Sequence, residues 1–570
     1  MKLKELIFPS QDHTNELYYR GSYELLPQDT LSFDTYFGSL SYTKYLKYTY
    51  VKSVIFCCEI QGEATLELCH YDGKDTVIKK AQINNKAELE IDITTLPEKG
   101  FIYPKITAIT PCKFIGGYYK TENASQNETS MAIAICTYKR ENYVLNNIKK
   151  LNDASLSLIK RVFVVDNGNT LDKNELSNDF VNILPNKNYG GSGGFSRGLI
   201  EALDGGFSHV ILMDDDIDIH PEVIEEMSVF MSLLRDEYKN AWFSAAMLPL
   251  DKDYEQFELG AEWNGKESII HKHKVDIREK SVLLDNLYND GVEYGGWWTL
   301  CMPTSFIKEK GMPYPFFIKF DDVEYGLRRE QSTQIITSNG IAIRHEAFDK
   351  KSSFVLDYYN LRNELVVNSV YNKIGTFGII KRYMREVMKQ LTLYRYENVT
   401  LVRRAARDYL KGANFFLNTN EEELNKELIS KAIKLKPLDE IKEWTPELKN
   451  DDMVRNNKVS FLMAITLAGH LIPWFCLKRE TLGAPLSKIG AKNIFRRKRV
   501  VQYQLGANTG AITKRSFFKF IKHMTLSIGP LLKLLFLSRR AKKSYQKNKD
   551  KLTSIDFWRE HLELDGKKEN

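Results

Sequence analysis

The fold class is decided by residues 210–216, VILMDDD, where a short apolar run leads directly into three aspartates. Similar apolar runs occupy 131–136, 162–165 and 181–184, and residues with helical spacing separate them. Alternating strands and helices of this kind predict an α/β domain whose parallel sheet is covered on both faces. Ligands bind such sheets at the carboxyl ends of the strands, so functional residues should directly follow the strands.

The three aspartates at 214–216 predict a cation site. Adjacent carboxylates repel one another and lose solvation, so a positive partner should compensate them. A divalent ion that bridges a diphosphate is the natural candidate, because hard oxygen ligands suit Mg²⁺ and Mn²⁺. His345, at the end of the short apolar run 341–345, could supply a third ligand. The alternatives are an acidic loop or helix N-cap for the aspartates and a structural role for the histidine.

A glycine-rich run follows the third predicted strand at 188–197, NYGGSGGFSR. Glycines that open a helix let backbone N–H groups approach an anion, and the helix dipole favours the negative charge. The run fits neither the dinucleotide-binding pattern nor the P-loop, which favours a sugar-nucleotide pocket. A flexible lid is the alternative.

Two further strand ends carry polar residues on the same predicted edge, Arg140 and Asp166. Asp166 could accept from a uracil N–H or a ribose hydroxyl, and Arg140 could stack on the base or pair with phosphate. A turn residue and a surface charge are the respective alternatives.

Two later segments predict the sugar and acceptor side of the site. Trp297 and Trp298 follow two glycines and could form an aromatic wall for a sugar, or an ordinary core pair. The acids Asp321 and Asp322 end the apolar run 316–320. One of them could bind an acceptor hydroxyl while the other removes its proton, with a helix N-cap as the alternative.

In this order the motifs resemble the inverting GT-A glycosyltransferases, and among them the bacterial polymerising galactofuranosyltransferases that extend galactan. The resemblance rests on these segments: Cys136-Thr-x-x-Arg140, Asn188-x-Gly-Gly-Ser-Gly-Gly-Phe195, Met213-Asp-Asp-Asp216, Gly296-Trp-Trp298, Asp321-Asp-x-Glu-Tyr-Gly-Leu-Arg328 and His345. Phe320 is a departure, since the polymerising enzymes are expected to have Trp there.

The resemblance implies an enzyme that moves galactofuranose from UDP-galactofuranose to a growing, lipid-linked cell-surface glycan. Asp214, Asp216 and His345 would bind Mn²⁺ or Mg²⁺, Asp322 would be the general base, and Asp321 would hold the acceptor. The remaining implied contacts are with the nucleotide (Arg140, Asp166, Asn188, Asp215) and with the sugars (Gly190, Gly191, Trp297, Trp298, Glu324). Transfer from another nucleotide sugar and a non-catalytic nucleotide-binding or glycan-binding scaffold are the alternatives.

The chain is predicted to have three regions, and its composition, 43% apolar and 27% charged, excludes wholesale disorder. Residues 1–125 contain short alternating runs separated by turn residues, which indicate a β-sandwich or barrel. Residues 126–370 form the predicted Rossmann-like GT-A domain. Residues 371–570 have helical spacing and indicate a basic, mainly helical region.

Charge is unevenly distributed along the 570 residues, whose net value is +7. Residues 451–570 hold 25 Lys or Arg and 9 Asp or Glu, a net +16. Residues 515–540 alternate bulky apolar and basic side chains, which predicts an interfacial helix on anionic lipid, interrupted near residues 529–530. Residues 461–477 predict a buried or interfacial helix, with a membrane span as the alternative. A solvated charge run and nucleic-acid binding are the alternatives to membrane docking, and no nucleic-acid partner is expected.

The seven cysteines do not form a disulfide framework, because the number is odd and the density low. We therefore expect a reduced cytoplasmic protein, peripheral on the inner face of the cell membrane. The resemblance also suggests a homo-oligomer.

Overall fold

A computed structural model describes residues 1–123, 128–289, 291–330, 332–347, 353–441, 445–446, 457–478 and 481–564. The chain divides into two compact units. The first comprises Met1–Pro313, Asp322–Glu346 and Trp558–Asn570, and the second Tyr314–Asp321 and Ala347–Phe557. The predicted boundary at residues 125–126 lies outside the described residues.

The N-terminal region is built on a seven-stranded sheet, as expected for a β domain. Its strands are β1 (Lys2–Glu5), β2 (Glu24–Leu25), β3 (Thr30–Ser32), β4 (Ser53–Tyr71), β5 (Asp75–Asp92), β6 (Phe101–Ala108) and β7 (Cys112–Lys120), with helix α1 (Tyr42–Tyr48) between β3 and β4. The order is β1-β7-β4-β6-β3, with β2 on β7 and β5 on β4. Along β4 the apolar residues Ala64, Leu66 and Leu68 are buried while Thr65 and Glu67 between them are partly exposed, which is the alternation expected of a half-buried strand.

Strands β4 and β5 are each longer than predicted. The sequence indicates two strands at 51–59 and 64–70 and two more at 76–83 and 87–93, but each pair is one continuous strand. The pairing of β4 with β5 shifts register between Glu59 and Glu63, opposite the polar residues Asn84 and Asn85. A bulge absorbs these residues without ending the strand, so the turn predicted there is absent.

The central region is an α/β domain with a second seven-stranded sheet. Its strands are β8 (Met131–Thr137), β9 (Ile159–Asp166), β10 (Val181–Pro185), β11 (His209–Asp214), β13 (Trp242–Ser244), β19 (Thr299–Pro303) and β20 (Ile335–Ile336), in the order β10-β9-β8-β11-β19-β13-β20. The first four strands in the order are parallel, as predicted, but β19 is antiparallel to both of its neighbours. The sheet is therefore mixed, because the chain enters β19 from the carboxyl edge of β11.

Smaller strands and the helices complete the central region. The strands are β12 (Ile217–Asp218), β14 (Ala246–Pro249), β15 (Glu255–Gln256), β16 (Ala261–Trp263), β17 (Ser268–Ile270), β18 (Val275–Asp276) and β21 (Ala342–His345). The helices are α2 (Glu141–Asp153), α3 (Lys173–Leu176), α4 (Gly190–Asp204), α5 (Pro221–Ser232), α6 (Lys280–Asn286), α7 (Thr304–Lys310) and α8 (Asp321–Gly326). Strands β12, β21 and β14 form a three-stranded sheet.

The N-terminal β region and the α/β domain belong to the same unit and share buried polar contacts. The Lys4 ammonium lies 2.9 Å from the Glu226 carboxylate, and both side chains are almost fully buried. The Tyr18 hydroxyl lies 2.7 Å from Nε2 of His220, and Arg344 donates to the same hydroxyl. Such pairing offsets part of the solvation that the buried charges lose.

The second unit is mainly helical, as predicted. Its helices are α9 (Leu356–Val370), α10 (Thr376–Thr392), α11 (Tyr396–Tyr409), α12 (Asn414–Asn418), α13 (Glu421–Lys431), α14 (Asn457–Ile465), α15 (Ala491–Ile494), α16 (Phe517–Lys547) and α17 (Lys549–Leu552), and α18 (Ile555–His561) leads out of it. A five-stranded sheet was not predicted: β22 (Lys436–Pro437), β23 (Thr445–Pro446), β24 (Leu482–Pro485), β25 (Arg499–Gln504) and β26 (Thr509–Lys514). These strands have two to six residues, too few for a clear alternation pattern.

Two helix predictions in the C-terminal region are wrong in extent. The helix predicted over 461–477 ends at Ile465, because Leu467 and Ala468 take left-handed backbone conformations and a turn follows. Helix α16 continues through Pro530, where an interruption was expected, because a proline removes only one backbone donor from a 31-residue helix. Within the described residues, α16 alone is long and apolar enough to cross a membrane, and 17% of its most apolar stretch is buried.

Candidate functional site

Four parallel strands end at one edge of the central sheet. In the sheet register Cys136 lies beside Asp214, Thr137 beside Asp166, and Asp166 beside Pro185. The residues that follow these strands therefore meet at the carboxyl edge, which is the place expected for a ligand.

Asp214, Asp216 and His345 form a compact cluster at this edge. Nε2 of His345 lies 3.3 Å from a carboxylate oxygen of Asp216 and 3.7 Å from one of Asp214. One potential ligand atom from each residue lies within 4.8 Å of the other two. Asp216 and His345 are buried, while Asp214 is partly exposed, so the cluster opens to solvent on one side.

The pairing of β12 with β21 brings the histidine to the aspartates. Ile217 is opposite His345 in this antiparallel pair, so the two residues before Ile217 form the turn that faces the imidazole. Nδ1 of His345 lies 2.6 Å from the backbone oxygen of Glu346. A proton on Nδ1 leaves the Nε2 lone pair directed at the aspartates, the arrangement that metal-binding histidines use.

Arg140 and Asp215 lie beside the cluster. Arg140 forms an ion pair with Asp216, so its guanidinium compensates the acidic residues. Burial, and then the Asp216 charge, raise the pKa of Asp215 to about 7, and the carboxylate accepts a hydrogen bond of 2.8 Å from Thr137. Asp215 is thus directed into the sheet edge, and its predicted nucleotide contact stays a prediction.

The glycine-rich run forms the first turns of α4, which begins at Gly190. A Cβ at Gly194 would lie 2.2 Å from Sγ of Cys136, and one at Gly198 would lie 2.6 Å from Cβ of Ala134. Glycine is therefore needed here because the helix packs directly on β8, which argues against a flexible lid. The start of the helix lies next to the strand end that adjoins Asp214, where the positive end of the helix dipole favours an anion.

Asparagines fix the approach to this helix. The Asn188 side chain accepts from the backbone N–H of Gly190 at 3.0 Å. Asn167 donates to the backbone oxygen of Gly190 at 2.9 Å and accepts from Asn186 at 2.8 Å. The roles of Asn167 and Asn186 were missed, because side-chain pairing between two loops leaves no local pattern in the sequence.

Asp166 is buried, and its carboxylate holds its own loop. It accepts from the backbone N–H groups of Gly168, Thr170 and Leu171 at 2.9, 2.7 and 2.8 Å. This geometry favours the turn-residue alternative over the nucleotide contact.

Trp297 and Trp298 are both buried in the unit, at 5% and 6% exposure, which favours the core-pair alternative over an open aromatic wall. The Trp297 ring meets Phe195 edge-on at 5.2 Å and Tyr325 at 5.9 Å. The Trp298 indole donates to the backbone oxygen of Ala245, and its own backbone oxygen accepts from Asp214. The two tryptophans therefore pack in the core, and Trp298 bonds directly to the backbone of Asp214 at the sheet edge.

Helix α8 carries the predicted base and one predicted sugar contact. Asp322 is half-buried in the first turn, where its carboxylate accepts from the N–H of Val323. Glu324 is fully buried and bonded through both oxygens to Arg328, at 2.9 and 2.5 Å. This argues against the predicted sugar contact of Glu324, because a carboxylate enclosed by a guanidinium is not open to a sugar hydroxyl.

Glu258 is a candidate that the sequence did not reveal. It is buried, and one carboxylate oxygen has no hydrogen-bond partner among the described residues. Burial, and then the Asp322 charge, raise its pKa to about 8, so the side chain is protonated at neutral pH. A neutral acid beside Asp322 is a hydrogen-bond donor for a hydroxyl. Nothing in the surrounding sequence marks it out from other glutamates.

The C-terminal residues of the first unit pack on the glycine-rich helix. The Trp558 indole is fully buried and donates to the backbone oxygen of Pro313 at 2.8 Å. The His561 ring packs against Tyr189 at 4.9 Å, and Glu563 pairs with Lys187. This contact joins residues more than 370 positions apart, so local sequence patterns could not predict it.

Two family models match the first unit. The model described as Galactofuranosyltransferase 2 N-terminal matches residues 6–121, which contain strands β2 to β7 of the N-terminal sheet. The model described as Glycosyl transferase family 2 matches residues 132–236, which contain the parallel strands and the three aspartates.

Two curated relatives are similar over much of the chain. The galactofuranosyltransferase GlfT2 of Mycolicibacterium smegmatis is 27% identical over 442 residues, 69% of this chain and 66% of the relative. The GlfT2 of Mycobacterium tuberculosis is 26% identical over 459 residues, 71% of this chain and 69% of the relative. The chain thus spans about two thirds of the length of the curated relatives that it matches.

Solved structures are more distant. The mannosyltransferase PcManGT from Pyrobaculum calidifontis, in complex with GDP-Man and Mn²⁺, is 10% identical, with a TM-score of 0.29 over 50% of this chain and 77% of that chain. The sheet order and the family matches therefore carry the assignment, and they confirm the resemblance and the fold class predicted from the sequence. The chain contains a family 2 glycosyl transferase domain of the GT-A fold, preceded by a domain of the galactofuranosyltransferase 2 N-terminal family.

Proposed function

We propose that this protein transfers galactofuranose from UDP-galactofuranose to a growing glycan, with inversion at the anomeric carbon. The observation that carries the proposal is the cluster of Asp214, Asp216 and His345 at the carboxyl edge of a glycosyl transferase family 2 domain. The names of the two curated relatives support galactofuranose as the sugar.

The donor set of the cluster fits a divalent cation. Two carboxylates and one imidazole suit Mn²⁺, and Mg²⁺ is the second choice because it prefers oxygen ligands. We infer that Asp214, Asp216 and His345 would hold this ion. When bound there, the ion would supply Lewis-acid stabilisation of the negative charge that develops on the leaving UDP.

The protein side chains then have separate tasks. The Asp322 carboxylate takes the proton of the acceptor hydroxyl as the hydroxyl oxygen bonds to the anomeric carbon and the bond from that carbon to UDP breaks. Glu258, protonated at neutral pH, donates a hydrogen bond that orients the acceptor. Arg140 and the N–H groups at the start of α4 stabilise the diphosphate where its negative charge increases.

A donor screen tests the proposal. Purified protein with Mn²⁺, an acceptor and a panel of nucleotide sugars is assayed by mass spectrometry, and we expect products only from UDP-galactofuranose. Products from another nucleotide sugar alone would contradict the proposed donor. UDP binding without transfer from any donor would support the non-catalytic scaffold instead.

The Asp322→Asn variant tests the assigned base. We expect turnover to fall by about 10³-fold or more while UDP binding changes little, because the base acts only on the acceptor. Asp172→Asn is a matched control, since Asp172 also begins a short helix, where it accepts from two backbone N–H groups. Near-normal turnover of Asp322→Asn would show that the base is another residue.

We further propose that helix α16 docks the enzyme on an anionic membrane surface, where a lipid-linked acceptor would be met. One face of α16 is buried in the second unit through Phe520, Leu534 and Tyr545. The opposite face exposes large apolar side chains, including Phe518 at 84% and Phe536 at 74% exposure. Basic side chains on the same helix would pair with anionic head groups.

A liposome flotation assay tests this docking. We expect flotation with anionic liposomes, and a loss of at least about fivefold in the Phe518→Glu/Phe536→Glu variant, because charge opposes insertion of the apolar face. Ile429→Glu is the control, since Ile429 is also exposed but lies on α13. Equal flotation of all three proteins, or of none, would contradict docking through α16.

The proposed location follows from this docking. The enzyme would be cytoplasmic and peripheral on the inner face of the cell membrane, and a homo-oligomer would present several copies of α16 to one surface. Light scattering of the purified protein tests the oligomer, and a monomer mass would contradict it.

A further inference from the structure

The segment that precedes the paired acids has an unusual backbone. Phe317, Lys319 and Phe320 have φ angles of 69°, 70° and 70°, in the left-handed region that favours glycine. Bulky residues rarely take this conformation, and they keep it only where the surrounding structure holds them there. Helix α8 begins directly afterwards, at Asp321.

The carbonyl groups of this segment are held by one asparagine side chain. Nδ2 of Asn363 lies 2.9 Å from the backbone oxygens of both Ile318 and Lys319, and 3.4 Å from that of Phe316. Asn363 is fully buried in α9. Its amide therefore donates to backbone oxygens that, in a regular strand or helix, would accept from backbone N–H groups.

Arg362 fixes the orientation of that amide. Its Nε donates to Oδ1 of Asn363 at 2.8 Å, so the asparagine must present its NH₂ group to the segment. Its Nη2 donates to the backbone oxygen of Phe316 at 2.8 Å. Arg362 is itself fully buried among aromatic rings whose centroids lie 4.9–5.3 Å from its guanidinium: Tyr358, Tyr359, Phe415 and Phe416.

We propose that Arg362 and Asn363 are positioning residues for the paired acids, an inference that rests on the proposed function of Asp322. They keep three left-handed residues in place, and these residues set the direction in which α8 starts. Without the asparagine amide, the residues before α8 relax toward ordinary backbone angles, and Asp321 and Asp322 shift with them. The cluster of Asp214, Asp216 and His345 stays intact.

A kinetic comparison separates positioning from general stability. In Asn363→Ala we expect kcat to fall by about 100-fold, as a small misplacement of reacting groups can cause, with the affinity for UDP and Mn²⁺ within about threefold of the wild type. Asn398→Ala is the matched control. Asn398 is also fully buried in the second unit and donates to the backbone oxygen of Phe354 and to Asp357. We expect its kcat to fall less than about threefold.

A rescue experiment tests the role of the backbone angles directly. Glycine takes positive φ angles without a steric penalty. Lys319→Gly, added to Asn363→Ala, should therefore recover kcat by about fivefold or more, whereas the same glycine added to Asn398→Ala should not. Absence of rescue would contradict the positioning role.

Hydrogen exchange supplies a readout that does not depend on transfer. We expect amide exchange across residues 316–325 to rise at least about tenfold in Asn363→Ala and to stay unchanged in Asn398→Ala. Unchanged exchange, or equal loss of kcat in both variants, would overturn the proposal. Faster exchange in a protein that shows no transfer from any donor would leave the positioning of the segment supported and would refute the proposed function.

Discussion

The two acidic segments at 214–216 and 321–322 are placed by different physical means. The first forms the turn between β11 and β12, and the register of β11 with β8 and of β12 with β21 fixes its position. The second follows three left-handed residues that side chains more than 40 positions later hold in place. A local sequence pattern can reveal a site that strand register positions. It cannot reveal a site that depends on hydrogen bonds between residues far apart in the chain.

The largest effect expected on metal binding tests the first segment. His345→Ala removes one of three clustered donors, so we expect turnover and Mn²⁺ affinity each to fall by at least about 100-fold. Calorimetric titration and initial rates measure the two quantities.

His209→Asn is the control for that variant, since His209 begins the same strand β11 that Asp214 ends. We expect it to bind Mn²⁺ like the wild type. Unchanged Mn²⁺ affinity in His345→Ala would mean that the cluster does not hold the ion.

The next largest effect concerns the helix of the second segment. Glu324→Ala leaves the Arg328 charge buried without its partner, so the free energy of unfolding should fall by about 3–5 kcal/mol. Urea denaturation measures it. Glu422→Ala breaks an exposed pair with Lys426 at the same four-residue spacing and should cost less than about 0.5 kcal/mol. Similar losses in both variants would show that burial does not strengthen the pair.

The pH dependence of stability should also reflect the second segment, because the charge of Asp322 acts on the buried Glu258. Its pKa is about 8 in the folded protein against an ordinary 4.5, so between these values the folded state holds a proton that the unfolded state has lost. The free energy of unfolding should therefore decrease as pH rises from 5 to 8, by up to about 1.4 kcal/mol per unit.

Glu258→Gln keeps a neutral side chain and should lose the part of this decrease that Glu258 contributes, while other buried carboxyls with raised pKa values, such as Asp215, keep theirs. Urea denaturation at pH 5 and pH 8 measures the difference, with Glu267→Gln, on the exposed turn between β16 and β17, as the control. Identical pH dependence in the wild type and Glu258→Gln would contradict the raised pKa.

The smallest effect concerns the C-terminal contact beside the first segment. Glu563→Ala removes an exposed ion pair with Lys187, so the affinity for UDP should fall by no more than about threefold. A fluorescence titration with UDP measures it. A loss above tenfold would show that the C-terminal residues form part of the nucleotide site.

Local sequence patterns predicted the parallel strands from their apolar runs. They also predicted the acidic cluster and His345, because these residues stand at the ends of apolar strands. They also predicted that glycines begin α4. They did not predict that β19 runs antiparallel, since direction depends on where the preceding chain crosses the sheet. They did not predict Glu258 either, whose chemistry arises only from burial beside Asp322.

Other residues could not be assigned from the sequence, because two different uses of the same residue type look alike there. A glutamate after paired acids suits a sugar contact or a buried ion pair, and Glu324 forms the pair. Adjacent tryptophans suit a sugar wall or a core, and Trp297 and Trp298 are buried. Only burial and pairing distinguish these uses, and both depend on residues far away in the chain.

We propose that the cluster of Asp214, Asp216 and His345 supports sugar transfer at the sheet edge. Product formation from UDP-galactofuranose and an acceptor, measured with Mn²⁺ and again after chelation by EDTA, tests this role. We expect glycan products that lengthen by one hexose per transfer with Mn²⁺ and that disappear with EDTA. Equal product formation under both conditions, or none with Mn²⁺ from any nucleotide sugar, would contradict it.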